Sequence, residues 1–324
     1  MFTLKSSMHD SFKNPAFKGK EYMLRVSTGI PSAVFSRFSM ARLGKMFGCD
    51  AQALANGLEY LDQALSKRKV FYDIWSEEDK KADPSKCDTG IAYFPAEKKG
   101  KYIVLCAGGA YQVVMSVLEA YPFAERLNKM GYTVFVLRYR DGKYAIMPNQ
   151  IEDLAQAIKY ITAHAEEFNV ETDNYAVCGC SAGAHMTAAI GTEDLGYLHY
   201  GIKRPGALFL AYPFISYDGG EKLDVGIRKT CFGKEHANDR DLIEKYSVEY
   251  HVTESYPPAY VWQSEEDGTC PFRNSQVITA AMKAKGVPYE YITYPGTAHG
   301  WGVGDGTPAE GWLTKACDFW EKHI

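Results

Sequence analysis

From about residue 70 to the C-terminus, short apolar runs alternate with stretches of helical period, which restricts the available architectures more than any other feature. Residues 70–75 and 89–94 read as short strands. They are followed by 102–106 (YIVLC), 132–137 (YTVFVL), 175–178 (YAVC), 207–211 (ALFLA), 259–263 and 289–294. Between them lie helical patterns. Residues 116–130 stop at Gly131; Pro148 opens a helix with Ile151, Leu154, Ile158 and Ile161 on one face; 182–190, 272–285 and 308–320 complete the set. Apolar strands separated by amphipathic helices predict an α/β fold: a mostly parallel central sheet with helices on both faces, since parallel strands need crossovers of this length.

Residues 1–69 read differently. Ala53, Leu54, Leu58, Leu61 and Leu65 mark one face of a helix, with Asp50 as its N-cap. The segment is expected to be a helical N-terminal extension that packs on the main domain (70–324), caps a pocket or makes a dimer contact. A homo-oligomer is therefore one expectation. The interval 212–258 lacks a strand period, holds a helix near 239–246, and reads as an insertion above the sheet edge.

Composition excludes several classes. Lys and Arg number 36 against 40 Asp and Glu, a net charge of −4. This gives no drive toward nucleic acid or an anionic membrane. No run approaches the ~20 apolar residues of a membrane-spanning helix. The first residues show no secretory pattern, so a cytoplasmic location is expected. Eight scattered cysteines read as reduced, mostly buried thiols. Cys178 and Cys180 form C-x-C without a second pair at zinc spacing, so no metal is expected.

The chemistry centres on Gly179-Cys180-Ser181-Ala182-Gly183, directly after the strand YAVC and opening the small-residue helix AGAHMTAAI. This is the strand–turn–helix setting of a nucleophile elbow, with Ser181 as nucleophile. A serine hydroxyl needs a base. Of eight histidines, His299 alone sits in a glycine-flanked loop after a late strand, reached through Pro295-Gly296-Thr297-Ala298. His185, on the helix after the elbow, reads as packed beneath it. The orienting acid should lie between nucleophile and base in the chain. Of Glu265, Glu266 and Asp267, the choice is Asp267, because Gly268 suits a sharp turn and Pro271 starts the next helix. Oxyanion donors should be the amide of Ala182 and those of the loop Gly108, Gly109 and Ala110. No nucleotide-binding glycine motif is present, and no cofactor is expected.

The blocks YIVLCAGGAY, FAERLNKMGYTVFVLRYR, DLAQAIKYI and YAVCGCSAGAH, with the late blocks PPAYVWQSEEDGTCP and YPGTAHGWG, resemble the α/β-hydrolase esterases related to acetyl-xylan and other carbohydrate esterases. The family block C-P-G-G-G-Y falls on Cys106, Ala107, Gly108, Gly109, Ala110 and Tyr111; Ala110 in place of the third glycine adds a methyl beside the oxyanion loop. The resemblance spans about 100–320 and implies hydrolysis of short acyl esters, with acetylated sugars or xylan fragments as the small-molecule partner. Tyr111, beside the loop, and Trp301, two residues past the base, are candidates to stack on a sugar or line an acyl pocket. The rival expectations are a peptidase or thioesterase of the same fold, and a non-catalytic binding protein that kept it.

Overall fold

Apolar runs from several parts of the chain satisfy their backbone groups by pairing edge to edge. In the computed structural model, which describes residues 1–26, 31–296 and 299–324, they form one sheet. Among the described residues its strands are β1 (Phe71–Tyr72), β2 (Gly90–Phe94), β3 (Tyr102–Cys106), β4 (Thr133–Arg138), β5 (Ala176–Cys180), β6 (Ala207–Ala211), β7 (Ala259–Ser264) and β8 (Tyr289–Tyr294). The order is β1-β2-β4-β3-β5-β6-β7-β8. β1, β2 and β4 pair antiparallel; all other pairs are parallel. Strands β2 to β7 are buried along their whole length, whereas the edge strand β8 is partly exposed.

The longer helices are α1 (Met40–Phe47), α2 (Ala51–Leu65), α3 (Tyr121–Lys129), α4 (Asn149–Ala163), α5 (Ala182–Ile190), α6 (Lys222–Cys231), α7 (Arg240–Tyr246), α8 (Arg273–Ala284) and α9 (Trp312–Lys322). They cover both faces. A Cβ on Gly179 of β5 would strike Thr187 of α5 at 2.4 Å, while the adjacent Cys178 faces Cys317 of α9. Alternate residues of a strand point to opposite faces, so α5 and α9 lie on opposite sides. α2 packs against α3, and a Cβ on Gly57 would meet the Pro122 backbone nitrogen at 2.7 Å. Asp50 caps α2, accepting from the amides of Gln52 at 2.9 Å and Ala53 at 3.3 Å.

Four expectations need correction. The helix expected over 116–130 is broken into Ser116–Glu119 and α3, because Ala120 leaves helical geometry and Pro122 cannot donate into a continuous helix. The first strand shrinks from 70–75 to Phe71–Tyr72. The last helix begins at Trp312, after Gly311 in the left-handed region, not at residue 308. The interval between β6 and β7 holds α6, with a capping box of Glu221 and Asp224, besides the expected helix at α7. No helix among the described residues is long and apolar enough to cross a membrane.

Candidate active site

The strand order reverses around β3: β4 lies on one side of it and β5 on the other. A crevice opens beyond the carboxyl ends of strands at such a point. The register sets Cys106 at the end of β3 opposite Gly179 of β5, so the loop after β3 and the turn after β5 are neighbours.

That turn carries Ser181 at φ 51° and ψ −121°. Two close approaches require its flanking glycines. A Cβ on Gly179 would lie 2.4 Å from the Gly183 carbonyl oxygen, and one on Gly183 would lie 2.1 Å from that of Cys106. The Ser181 amide donates to the Ala211 carbonyl at 3.0 Å, tying the turn to β6. The strained residue is thus held by packing on three strands and presents its hydroxyl above the sheet.

His299 Nε2 lies 3.1 Å from Ser181 Oγ, and His299 Nδ1 lies 2.7 Å from Asp267 Oδ2. The Asp267 side chain is buried. Its Oδ1 accepts from the amides of Thr269 at 2.8 Å and Cys270 at 2.9 Å, and its Oδ2 accepts from Gln263 Nε2 at 3.3 Å. A carboxylate accepting these bonds needs the proton on His299 Nδ1, which leaves the Nε2 lone pair for the serine hydroxyl. Glu265 and Glu266 are exposed, and Glu265 accepts from Thr293 instead. The expected approach to the base through Thr297 and Ala298 lies outside the described residues.

The loop after β3 turns through successive positive φ angles at Gly109 (129°), Ala110 (53°) and Tyr111 (61°). Among the described residues nothing accepts from the amides of Gly109, Ala110 or Ala182. Gly108 is a correction: its amide is already engaged, donating to Glu119 Oε2 at 2.6 Å. Tyr111 is a second correction. The positive φ values turn its fully buried ring inward, where its hydroxyl donates to His185 Nδ1 at 2.8 Å. His185 in turn donates from Nε2 to the Tyr246 carbonyl at 2.7 Å, and burial lowers its pKa to about 4. Trp301 is a third. It stacks on Trp262 with centroids 6.0 Å apart and planes 8° from parallel, and it lines no part of the pocket.

Ser181 and His299 open onto a cavity of about 190 Å³. Its walls are mostly apolar: Phe47 and Cys49 from the N-terminal segment, Met115 and Leu118 after β3, and Leu223 from α6. Glu119 and Thr269 join Ser181 and His299 as its polar members. A wider open hollow of about 660 Å³ between Met1, Asp10, Lys13 and Asp62 is lined by Ser6 and Ser66 but, among the described residues, by no histidine that could serve as their base. Sequence reasoning missed Phe47, Cys49, Leu223 and Glu119. Only Glu119 left a signal, as an acid inside the apolar stretch SVLEAYPFA.

The fold and this serine–histidine–carboxylate arrangement define an α/β-hydrolase. Among α/β-hydrolases the chain resembles the acetylxylan and carbohydrate esterases. A family profile described as BD-FAE matches residues 92–196. An acetylxylan esterase of Xylanibacter ruminicola is 30% identical over 244 residues, covering 72% of this chain and 48% of the relative. An endo-1,4-beta-xylanase B of Butyrivibrio fibrisolvens is 26% identical over 219 residues, covering 65% of this chain and 34% of the relative. The chain therefore spans a third to a half of the length of these relatives. The crystal structure of an acetyl ester-xyloside bifunctional hydrolase from Caldicellulosiruptor lactoaceticus superposes with a TM-score of 0.68 at 25% identity, covering 79% of this chain and 96% of that one.

Proposed function

We propose that the chain is a serine esterase that hydrolyses short-chain acyl esters, acetyl esters of carbohydrates such as xylan fragments among them, through an acyl-enzyme. The observation that carries this is the unbroken hydrogen-bond chain Asp267–His299–Ser181 beside a small apolar cavity and amides without an acceptor among the described residues. Ser181 Oγ attacks the ester carbonyl carbon while His299 Nε2 takes its proton. The carbonyl π pair moves onto oxygen, where the amides of Gly109, Ala110 and Ala182 receive it. Collapse of this intermediate expels the alcohol, protonated by His299. Water, deprotonated by His299, then attacks the acyl carbon and releases the acid and free Ser181.

The cavity favours a short acyl group: Phe47, Met115, Leu118 and Leu223 close it at about 190 Å³. In this account residues 1–69 act as a cap on a catalytic domain of 70–324, because Phe47 and Cys49 reach the pocket from outside the sheet domain. The cytoplasmic assignment is part of the same proposal and draws support from eight unpaired cysteines, six of them buried. The test is an acyl-length series of p-nitrophenyl esters beside an acetylated xylo-oligosaccharide and an aminoacyl amide. A peak at acetyl with acetate released from the sugar is expected. Preference for the amide, or for long acyl chains, would overturn the assignment.

A further inference from the structure

Glu119 is a half-buried carboxylate in the wall of the pocket, and the reaction as written does not use it. It closes the helical turn Ser116–Glu119, immediately before the break at Ala120. Oε2 accepts the Gly108 amide at 2.6 Å, and Oε1 accepts the Tyr212 hydroxyl at 3.1 Å. The Gly108 carbonyl is held as well, by the Met115 amide at 3.0 Å. Both sides of the residue that opens the oxyanion loop are therefore fixed by one short segment. Tyr212 follows β6 at φ 38°, a strained value for a tyrosine, with its amide on the Trp262 carbonyl at 2.7 Å. Its ring meets the His299 imidazole edge-on, with centroids 5.0 Å apart and planes at 73°.

Resting on the serine-esterase assignment, we propose that Glu119 is a positioning residue, acting as a carboxylate through Gly108 and Tyr212. It aims the Gly109 and Ala110 amides and braces the imidazole of His299, adding a second negative charge beside it. A half-buried carboxylate that accepts two hydrogen bonds and, among the described residues, has no lysine or arginine partner costs stability, so a compensating role at the site is expected. The groups facing the imidazole and Glu119 are Asp267, Ser181, Tyr212, Cys49, Cys178, Cys180 and Tyr139. Burial pushes the Cys49 thiol up to about 12 and the thiols of Cys178 and Cys180 and the phenols of Tyr139 and Tyr212 well above their usual ranges. These stay neutral through the working range, which leaves Glu119 and Asp267 as the carboxyl groups nearest the imidazole; burial pushes the Glu119 carboxyl up from its ordinary range, while the Gly108 amide, a charge on His299 and the Tyr212 hydroxyl favour its ionised form.

Glu119→Ala, Glu119→Gln and Tyr212→Phe test this in the full chain. In Glu119→Ala, kcat should fall about 100-fold with KM within about threefold, the pattern of misplaced oxyanion donors. The glutamine carbonyl still accepts from Gly108, so Glu119→Gln should recover most of kcat. Having lost the charge, it should also move the acidic limb of the kcat/KM profile to lower pH by about half a unit or more. A folded Glu119→Ala with wild-type kcat, or a Glu119→Gln limb that coincides with wild type, would overturn the proposal. If Glu119→Ala does not fold, Tyr212→Phe takes its place, and a kcat unchanged from wild type is the contrary result. A wild-type chain that turns over no ester would instead sink the esterase assignment itself.

Discussion

Ser181 is held in left-handed geometry by glycines whose hydrogens touch backbone oxygens, and its neighbours follow from that local constraint. This is why the meeting of Ser181, His299 and Asp267 was legible in the sequence: the elbow is local, and chain order restricts the other two. Asp267→Asn should lower kcat by about 10⁴, because it permits the wrong imidazole tautomer, whereas Glu265→Gln and Glu266→Gln should leave steady-state kinetics at wild-type values. Tyr111 and Trp301 were misread for a different reason. Nearness in sequence to a functional loop does not fix side-chain direction, and the φ of 61° at Tyr111 points its ring at His185. Burial of neutral His185 also has a pH consequence. Its pKa falls from 6.5 to about 4 on folding, so between those values the unfolded chain binds more protons and stability is lost as pH drops. The full effect below pH 4 is about 3 kcal/mol. Denaturation midpoints from pH 7 to 4 should decline in wild type, and Tyr111→Phe should cost about 1 kcal/mol with KM unchanged.

Most strands and helices were legible because their apolar period is strong; β6, β8 and α5 match the expected bounds to the residue. What escaped depends on contacts across the chain. Helix α6 places Leu223 at the pocket, and α1 ends at Phe47, yet neither residue announces a site in its own segment. Phe47→Ala should therefore enlarge the pocket and shift the preferred p-nitrophenyl ester from acetyl toward butyryl, read as a change in the kcat/KM ratio of the two. At the elbow, Gly183→Ala would drive a methyl against the Cys106 and Ala107 carbonyl oxygens at 2.1 and 2.6 Å. A loss of at least about 2 kcal/mol in chemical denaturation is expected.

Across the whole molecule, the order of strands explains why residues far apart in the chain converge. β3 and β5 are adjacent, so the loop after Cys106 and Ser181 meet; β7 and β8 are adjacent, so Asp267 and His299 meet. Alternation of strands and helices announced the parallel sheet but not its order, which is set by packing between distant segments. The N-terminal helices belong to the same apolar core, from Met8 through Leu61 to Trp320. Calorimetry should accordingly show one cooperative transition. The central claim, that Ser181 is activated by His299, is tested most directly by mass spectrometry of the chain treated with a p-nitrophenyl phosphonate. The expected result is a single adduct on Ser181 that is lost in His299→Ala. An unmodified Ser181 in a preparation whose esterase activity has been abolished by the reagent would contradict it.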